Sequence, residues 1–252
     1  MMDRIHTGQA WFDALFPQGI PTRTSTLVTG PGGSGKPLIG NLIASAWLRE
    51  GGSVVFMSLQ YPTHEFIVAG LKSVAGLDLS DYKDRVVFIE LDATRKDVAL
   101  TDTHYFKANV VIPDNWDAAI EQSSSLVPNE GPGILFFASA LNLLLFSPTY
   151  GEAVLERMKK TVKEDKRYTY LFTVSTTAKG KEIAQLEDVA DNVLESRSLD
   201  DPFRLFLHIR RMKNTAFETG EVQVPFPSEL LDEVKEVADH SRLRVIPQVR
   251  KL

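Results

Sequence analysis

The 252-residue chain has no cysteine, which excludes disulfide bonds and thiolate chemistry and fits a reducing, cytoplasmic setting. It also lacks a membrane-length apolar run. The longest, Ile134 to Phe146, is interrupted by Ser139 and Asn142. No apolar signal segment follows Met1-Met2-Asp3-Arg4, so a cytoplasmic protein without membrane attachment is expected. Positive charge is outweighed, 28 Lys and Arg against 33 Asp and Glu, and the net charge of −5 argues against a dominant nucleic-acid surface. No stretch of Pro, Gly and Ser is long enough for a linker, and no repeat is visible. Residues 1–252 therefore read as one domain, with 1–23 as a lead-in and 228–252 as a C-terminal helix and tail. The histidines, at 6, 64, 104, 208 and 240, show no metal-ligand spacing, so no metal site is expected from them.

What is present is a glycine-rich loop between an apolar run and a helix-like stretch. Leu27 and Val28 lead into Gly30, Pro31, Gly32, Gly33, Ser34, Gly35, Lys36 and Pro37, and Leu38, Ile39, Leu42 and Ile43 follow. Strand, glycine loop and helix is the order a phosphate needs. Glycines let successive N–H groups turn toward an anion, the helix start adds positive potential, and a lysine reaches the outer phosphates. The full spacing favours a loop descended from a nucleotide site, with Gly30 to Leu38 as its contacts, over a plain turn with a solvated lysine. Position 37 departs from the pattern GxxxxGK[ST]: proline has neither the hydroxyl that ligates magnesium nor a backbone N–H.

The rest of the chain alternates strands and helices. Apolar runs at 24–29, 54–59, 85–91, 134–137 and 169–175 predict buried strands, and helices are predicted at 62–74, 116–126 (with Asp114 as cap), 149–165 and 182–189. A brief strand at 192–195 and a late pair, 203–210 and 220–224, follow, with a last amphipathic helix at 228–240. Trp11, Phe12, Leu15 and Phe16 read as packing residues. Residues 92–114 are irregular and open to two readings, a flap over a site or a subunit contact. The alternation predicts an α/β fold, a mostly parallel sheet with helices on both faces.

Several segments, in this order, resemble the RecA-like P-loop ATPases, in particular the KaiC-like branch that also includes RadA-like proteins. They are Gly19-Ile20-Pro21, the loop at 30–37, Val55-Phe56-Met57-Ser58-Leu59, the stretch Leu186 to Val193, and Ile209-Arg210-Arg211-Met212-Lys213-Asn214-Thr215. The resemblance covers about residues 5 to 227. It implies a three-layer α-β-α core with strand order 5-1-4-3-2, ATP or ADP as ligand, and rings or filaments with nucleotide between subunits.

The departures fall on the chemistry. The resemblance expects a glutamate, the activator of the attacking water, where Gln60 and Tyr61 stand, and an amide accepts no proton at neutral pH. It expects the magnesium-holding aspartate where Ala138 ends its strand, before Ser139. With Pro37, both usual protein contacts to magnesium are gone, so nucleotide binding with little magnesium dependence is expected. Arg211 and Lys213 match cations that reach a neighbouring subunit's nucleotide, although a solvated strand end is the alternative. A structural role is favoured for Asp188 and Asp191, and Ser34 and Ser139 lack a nucleophile motif.

The reading that follows is a catalytically degenerate regulatory or assembly module, acting through self-association or with a related ATPase. Two alternatives stand beside it. One is a weak magnesium-dependent ATPase that borrows Glu65 or Glu90. The other is a recombinase-like single-stranded DNA binder using residues 141–149, a segment that has no basic residue.

Overall fold

The computed structural model describes residues 3–61, 63–200, 203–226, 230, 236–237 and 239–252. In chain order, β1 (Arg4–Ile5), α1 (Ala10–Asp13) and β2 (Ile20–Pro21) form the lead-in. Then come β3 (Ser25–Thr29), α2 (Lys36–Arg49), β4 (Ser53–Ser58), α3 (Glu65–Ala75) and β5 (Val86–Leu91). A hairpin, β6 (Val98–Asp102) and β7 (Tyr105–Ala108), precedes α4 (Pro113–Ser124) and β8 (Ile134–Ala138). A 3-10 turn at Leu141–Phe146 leads to α5 (Gly151–Glu164), β9 (Thr169–Thr173) and α6 (Gly180–Val189). The chain ends with β10 (Asn192–Asp200), β11 (Phe203–Arg211), β12 (Val222–Val224), a π-helical turn at Ser241–Val245 and α7 (Ile246–Val249).

The main sheet has ten strands in the order β12-β11-β10-β3-β9-β8-β4-β5-β7-β6. From β10 to β7 neighbouring strands are parallel, while β11, β12 and β6 join antiparallel at the edges. Strand side chains alternate between two cores, as the two-residue period requires. Val54, Phe56, Leu135, Phe137 and Leu171 face the layer of α1 to α3, with Phe12, Ile39, Trp47 and Leu71. Val55, Met57, Phe136, Ala138 and Phe172 face α4 to α6, with Trp116, Val154, Met158 and Ile183. This is a three-layer α/β/α RecA-like core, and it explains why the strands read as unbroken apolar runs: both faces are covered.

Four expectations change. Counting 86–91 as the third strand, the implied 5-1-4-3-2 does not hold, because β5 and β7 continue the sheet beyond β4. With these two omitted, β10-β3-β9-β8-β4 is that order. Within 92–114, residues 98–108 are not a flap but a hairpin with a two-residue connection, paired to β5 through β7. Its apolar positions are sparse, with Phe106 buried and Leu100 half exposed, so periodicity did not mark it. Asp114 is not a cap: α4 starts at Pro113 with Ile112 before it and no side-chain cap. The strand at 192 also runs to Asp200 rather than 195, since β11 pairs along its full length. Trp11 and Phe12 pack edge to face as expected, and the 220–224 pairing with β11 is present. Most of the helix expected at 228–240 lies outside the described residues.

Candidate functional site

The loop between β3 and α2 is held in shape by its glycines and by its own lysine. Gly30, Gly33 and Gly35 all have positive φ (143°, 75° and 67°), a conformation open to glycine at little cost. A Cβ on Gly30 would lie 2.0 Å from the Ser196 carbonyl oxygen, and one on Gly35 2.3 Å from Leu205 Cδ1. The loop is thus packed on β10 and β11, and Ser196 Oγ donates to the Ser34 carbonyl. Ser34 Oγ donates to the Pro31 carbonyl at 2.8 Å.

Lys36 folds back into this turn. Its ammonium donates to the carbonyls of Gly30 (3.0 Å) and Pro31 and to Ser34 Oγ (3.1 Å). The side chain is buried, and burial lowers the ammonium pKa from 10.5 to about 8. At neutral pH it is a poorly hydrated cation held by three oxygens. A phosphate reaching the turn offers it a full negative charge in their place, so the residues fit the anionic end of a nucleotide. Pro37 occupies the first turn of α2, where its missing N–H is tolerated and its missing hydroxyl leaves no metal ligand.

The segment past the end of β4 faces the same space, whereas the Ala138 side chain at the end of β8 packs into the core on the α4 to α6 side. Gln60 is buried two residues past β4, and Ala138, fully buried, ends β8 in register with Met57 and Phe172. Next to Gln60, burial pushes the Tyr61 hydroxyl up to about 12, against hydrogen bonds from Ser139 and Gln60 that pull the other way. No described group of three or more His, Asp or Glu side chains is placed to hold a metal ion. Magnesium, if carried in on a nucleotide, would keep phosphate and water as its ligands.

Together these residues wall a cavity of about 390 Å³. On one side stand Gly32 to Leu38 and Asn41, on another Gln60, Tyr61 and Phe66, and on a third Asn142, Leu143, Phe146, Thr173 and Ser175. The C-terminal segment supplies Val237, Asp239, Ser241, Arg242 and Ile246. Of the contacts expected at 30–38, residues 32–38 line this cavity and Gly30 and Pro31 do not; the sequence reading did not name Asn41, Phe66, the third side or the C-terminal residues for it. Asn41 carries a weak signal, one helical turn beyond Pro37, whereas the C-terminal residues carry none, since no local pattern says where a tail docks.

The other candidate residues are engaged elsewhere. Lys213 Nζ bonds Asp191 Oδ1 at 2.7 Å, and Arg211 donates to the carbonyls of Ala190 (2.7 Å) and Glu187. Buried Asp191 also holds Lys166 and accepts from the Ser25 N–H at 3.0 Å, so it ties β3 to the end of β11. Burial works to raise its pKa, but Lys166 and Lys213 outweigh burial and hold it below the usual carboxylate value. Glu90 accepts from the Tyr105 hydroxyl, and neither Glu90 nor Glu65 lines the cavity. Residues 141–145 are buried, with Asn142 and Leu143 on the cavity wall. The histidines stay dispersed: His64 packs on Phe88 and Tyr105, His104 bonds the Lys83 carbonyl, and His208 lies 3.7 Å from Glu195. Among the described residues no helix is long and apolar enough to cross a membrane.

The sequence matches the family model described as ATPase: KaiC over residues 5–227. The chain belongs to the KaiC ATPase family. It is 33% identical over 101 residues to the DNA repair and recombination protein RadB of Methanoculleus marisnigri, a match covering 40% of this chain and 43% of that relative. It thus matches less than half the length of that protein. A UPF0273 protein of Aeropyrum pernix is 25% identical over 220 residues, covering 85% of this chain and 87% of the relative. The crystal structure of a KaiC-like protein from Pyrococcus horikoshii shares the fold, with a TM-score of 0.65 and 18% identity over 88% of this chain and 94% of that one. KaiC-family folds are in general associated with nucleotide binding. In this KaiC-family chain Gly32 to Lys36 and Gln60 line one cavity, and Ala138 lies in the core behind it.

Proposed function

We propose that the chain is a nucleotide-sensing regulatory or assembly module of the KaiC family that binds ATP or ADP through residues 30–38 and does not turn ATP over efficiently. One observation supports this reading: the glycine turn and its buried Lys36 share a cavity with Gln60, an amide at the position where the resemblance expects a glutamate. Binding and hydrolysis need different groups, and the described residues of the cavity support the first more than the second. Water attack needs a base within reach, and among the described residues the cavity wall contributes one carboxylate, Asp239, which lies 3.0 Å from Arg242. Nucleotide would be held by the loop N–H groups and Lys36, with little gain from magnesium.

We place the module in the cytoplasm as one domain over 1–252, partnered by copies of itself or by a related ATPase. Arg211 and Lys213 remain the candidates for contact across such an interface. The weak-ATPase reading draws no support from Glu65 or Glu90, which lie off the cavity. The RadB relative's name points to recombination. In this chain, however, the segment that reading would use, 141–149, has no basic residue and its first five residues are buried.

The test is calorimetry with ADP and ATP, with and without Mg²⁺, beside Lys36→Ala, together with a turnover assay. Lys36-dependent binding that changes less than about tenfold with magnesium, without sustained turnover, is expected. Sustained ATP turnover that disappears in Lys36→Ala would refute the reading. Absence of binding would refute it as well.

A further inference from the structure

The C-terminal segment lies across the cavity and is anchored on both of its sides. Ser241, buried, donates from Oγ to the Gln60 carbonyl at 3.4 Å and to the Val237 carbonyl at 3.0 Å. On the far side Val245 and Val249 enter the core beside the 141–146 turn, and the Arg250 guanidinium sits 5.3 Å over the Phe146 ring. The segment therefore bridges the ends of β4 and β8, the two places where carboxylates are missing.

It also brings a cation. Arg242 lines the same cavity as Gly33, Gly35 and Lys36. Its side chain is 70% exposed, and among the described residues its ion pair is with Asp239, one turn back, at 3.0 Å. An exposed pair of this kind contributes little and is easily exchanged for a phosphate, which the planar guanidinium can hold through two hydrogen bonds. Arg211 and Lys213 differ in this respect, since they already hold buried groups within the chain.

We propose that residues 239–249 act as a lid over the phosphate loop within the same chain, and that Arg242 is the second phosphate-binding cation of the site, beside Lys36. The proposal rests on the nucleotide-sensing reading. It assigns the ligand's terminal phosphate to a contact made in cis, where the family resemblance implies one from a neighbouring subunit. Asp239 is the internal competitor. It holds Arg242 while no phosphate is bound and gives it up on binding.

The test is titration of the full-length chain with ADP and with inorganic pyrophosphate, comparing Arg242→Gln, Arg242→Lys, Arg244→Gln and Asp239→Asn. Arg242→Gln is expected to weaken binding about tenfold, and Arg242→Lys by less, since it keeps the charge and loses the fork. Arg244 is exposed, belongs to the same segment and does not line the cavity, so Arg244→Gln should stay within about twofold. Asp239→Asn frees the guanidinium and should tighten binding, which a merely structural pair would not do. If Arg242→Gln binds like the wild type while Lys36→Ala does not bind, the lid proposal is overturned and the nucleotide reading stands. If the wild type binds neither ligand, both are overturned.

Discussion

Lys36 links stability to ligand binding, and pH separates the two. Burial lowers its ammonium from 10.5 to about 8, which corresponds to about 3 kcal/mol of unfavourable free energy while the group is charged. The sign follows from proton counts. Below pH 8 both folded and unfolded chains hold the proton, and the full cost of the buried charge is present. Between pH 8 and 10.5 the unfolded chain keeps the proton and the folded chain releases it, so stability rises with pH. Above 10.5 the cost is gone. The three oxygens around the ammonium offset part of it, so 3 kcal/mol is an upper bound.

The measurement is urea unfolding of the wild type and Lys36→Met from pH 7 to 10.5. Other lysines and tyrosines titrate in both proteins, so the difference between the two curves isolates position 36. It should rise with pH by about 1 to 3 kcal/mol. Acceptors orphaned by methionine shift the whole difference curve without changing its slope. A flat or falling difference would refute the account, because a falling one means that the folded loop prefers the charged lysine. Phosphate should reverse the effect by restoring a counter-charge. Above about pH 8 a growing share of Lys36 is neutral, so ADP binding should take up protons there and not at pH 7, measured by calorimetry in buffers of different ionisation enthalpy.

The buried carboxylate Asp191 differs in that the fold favours its charged form. Its pKa is depressed, so its contribution is complete above its unfolded value near 3.8 and is lost as pH falls below it. Asp191→Asn should cost about 3 kcal/mol at pH 7 and much less in acid, read by denaturant unfolding at both. Gly35→Ala combines a strained φ with a collision against Leu205 and should cost about 2 kcal/mol, part of it recovered in the double variant with Leu205→Ala. Ala138→Asp puts a carboxyl at the end of a buried strand. The melting temperature should fall by several degrees, read by thermal unfolding.

Sequence periodicity recovered the elements with strong local causes. The covered strands appear as apolar runs because helices pack on both faces, and the glycine turn is visible because it needs left-handed backbone at fixed positions. The 98–108 hairpin was not visible in this way. It is an edge addition with few buried residues, so little apolar area marks its register. The site was half legible for the same reason. Lys36, Gln60 and Ala138 stand at motif positions, whereas the C-terminal lid is fixed by contacts about 180 residues apart, such as Ser241 with Gln60.

The cations at the end of β11 decide how an assembly would use this chain. Moving Lys213 to a neighbour's nucleotide leaves Asp191, 6% exposed, with Lys166 as its remaining cation and costs about 2 kcal/mol or more. Arg211 would abandon two carbonyls that close the end of α6. Arg210 is cheaper to recruit: it is half exposed, and its contacts to Glu187 and Glu195 are 2.9 and 3.6 Å surface pairs. An interface built on these groups would therefore draw on Arg210 first. Recruiting Lys213 would require binding energy from elsewhere in the contact, so a nucleotide bridging two copies through Lys213 should show a measurable loss of protomer stability.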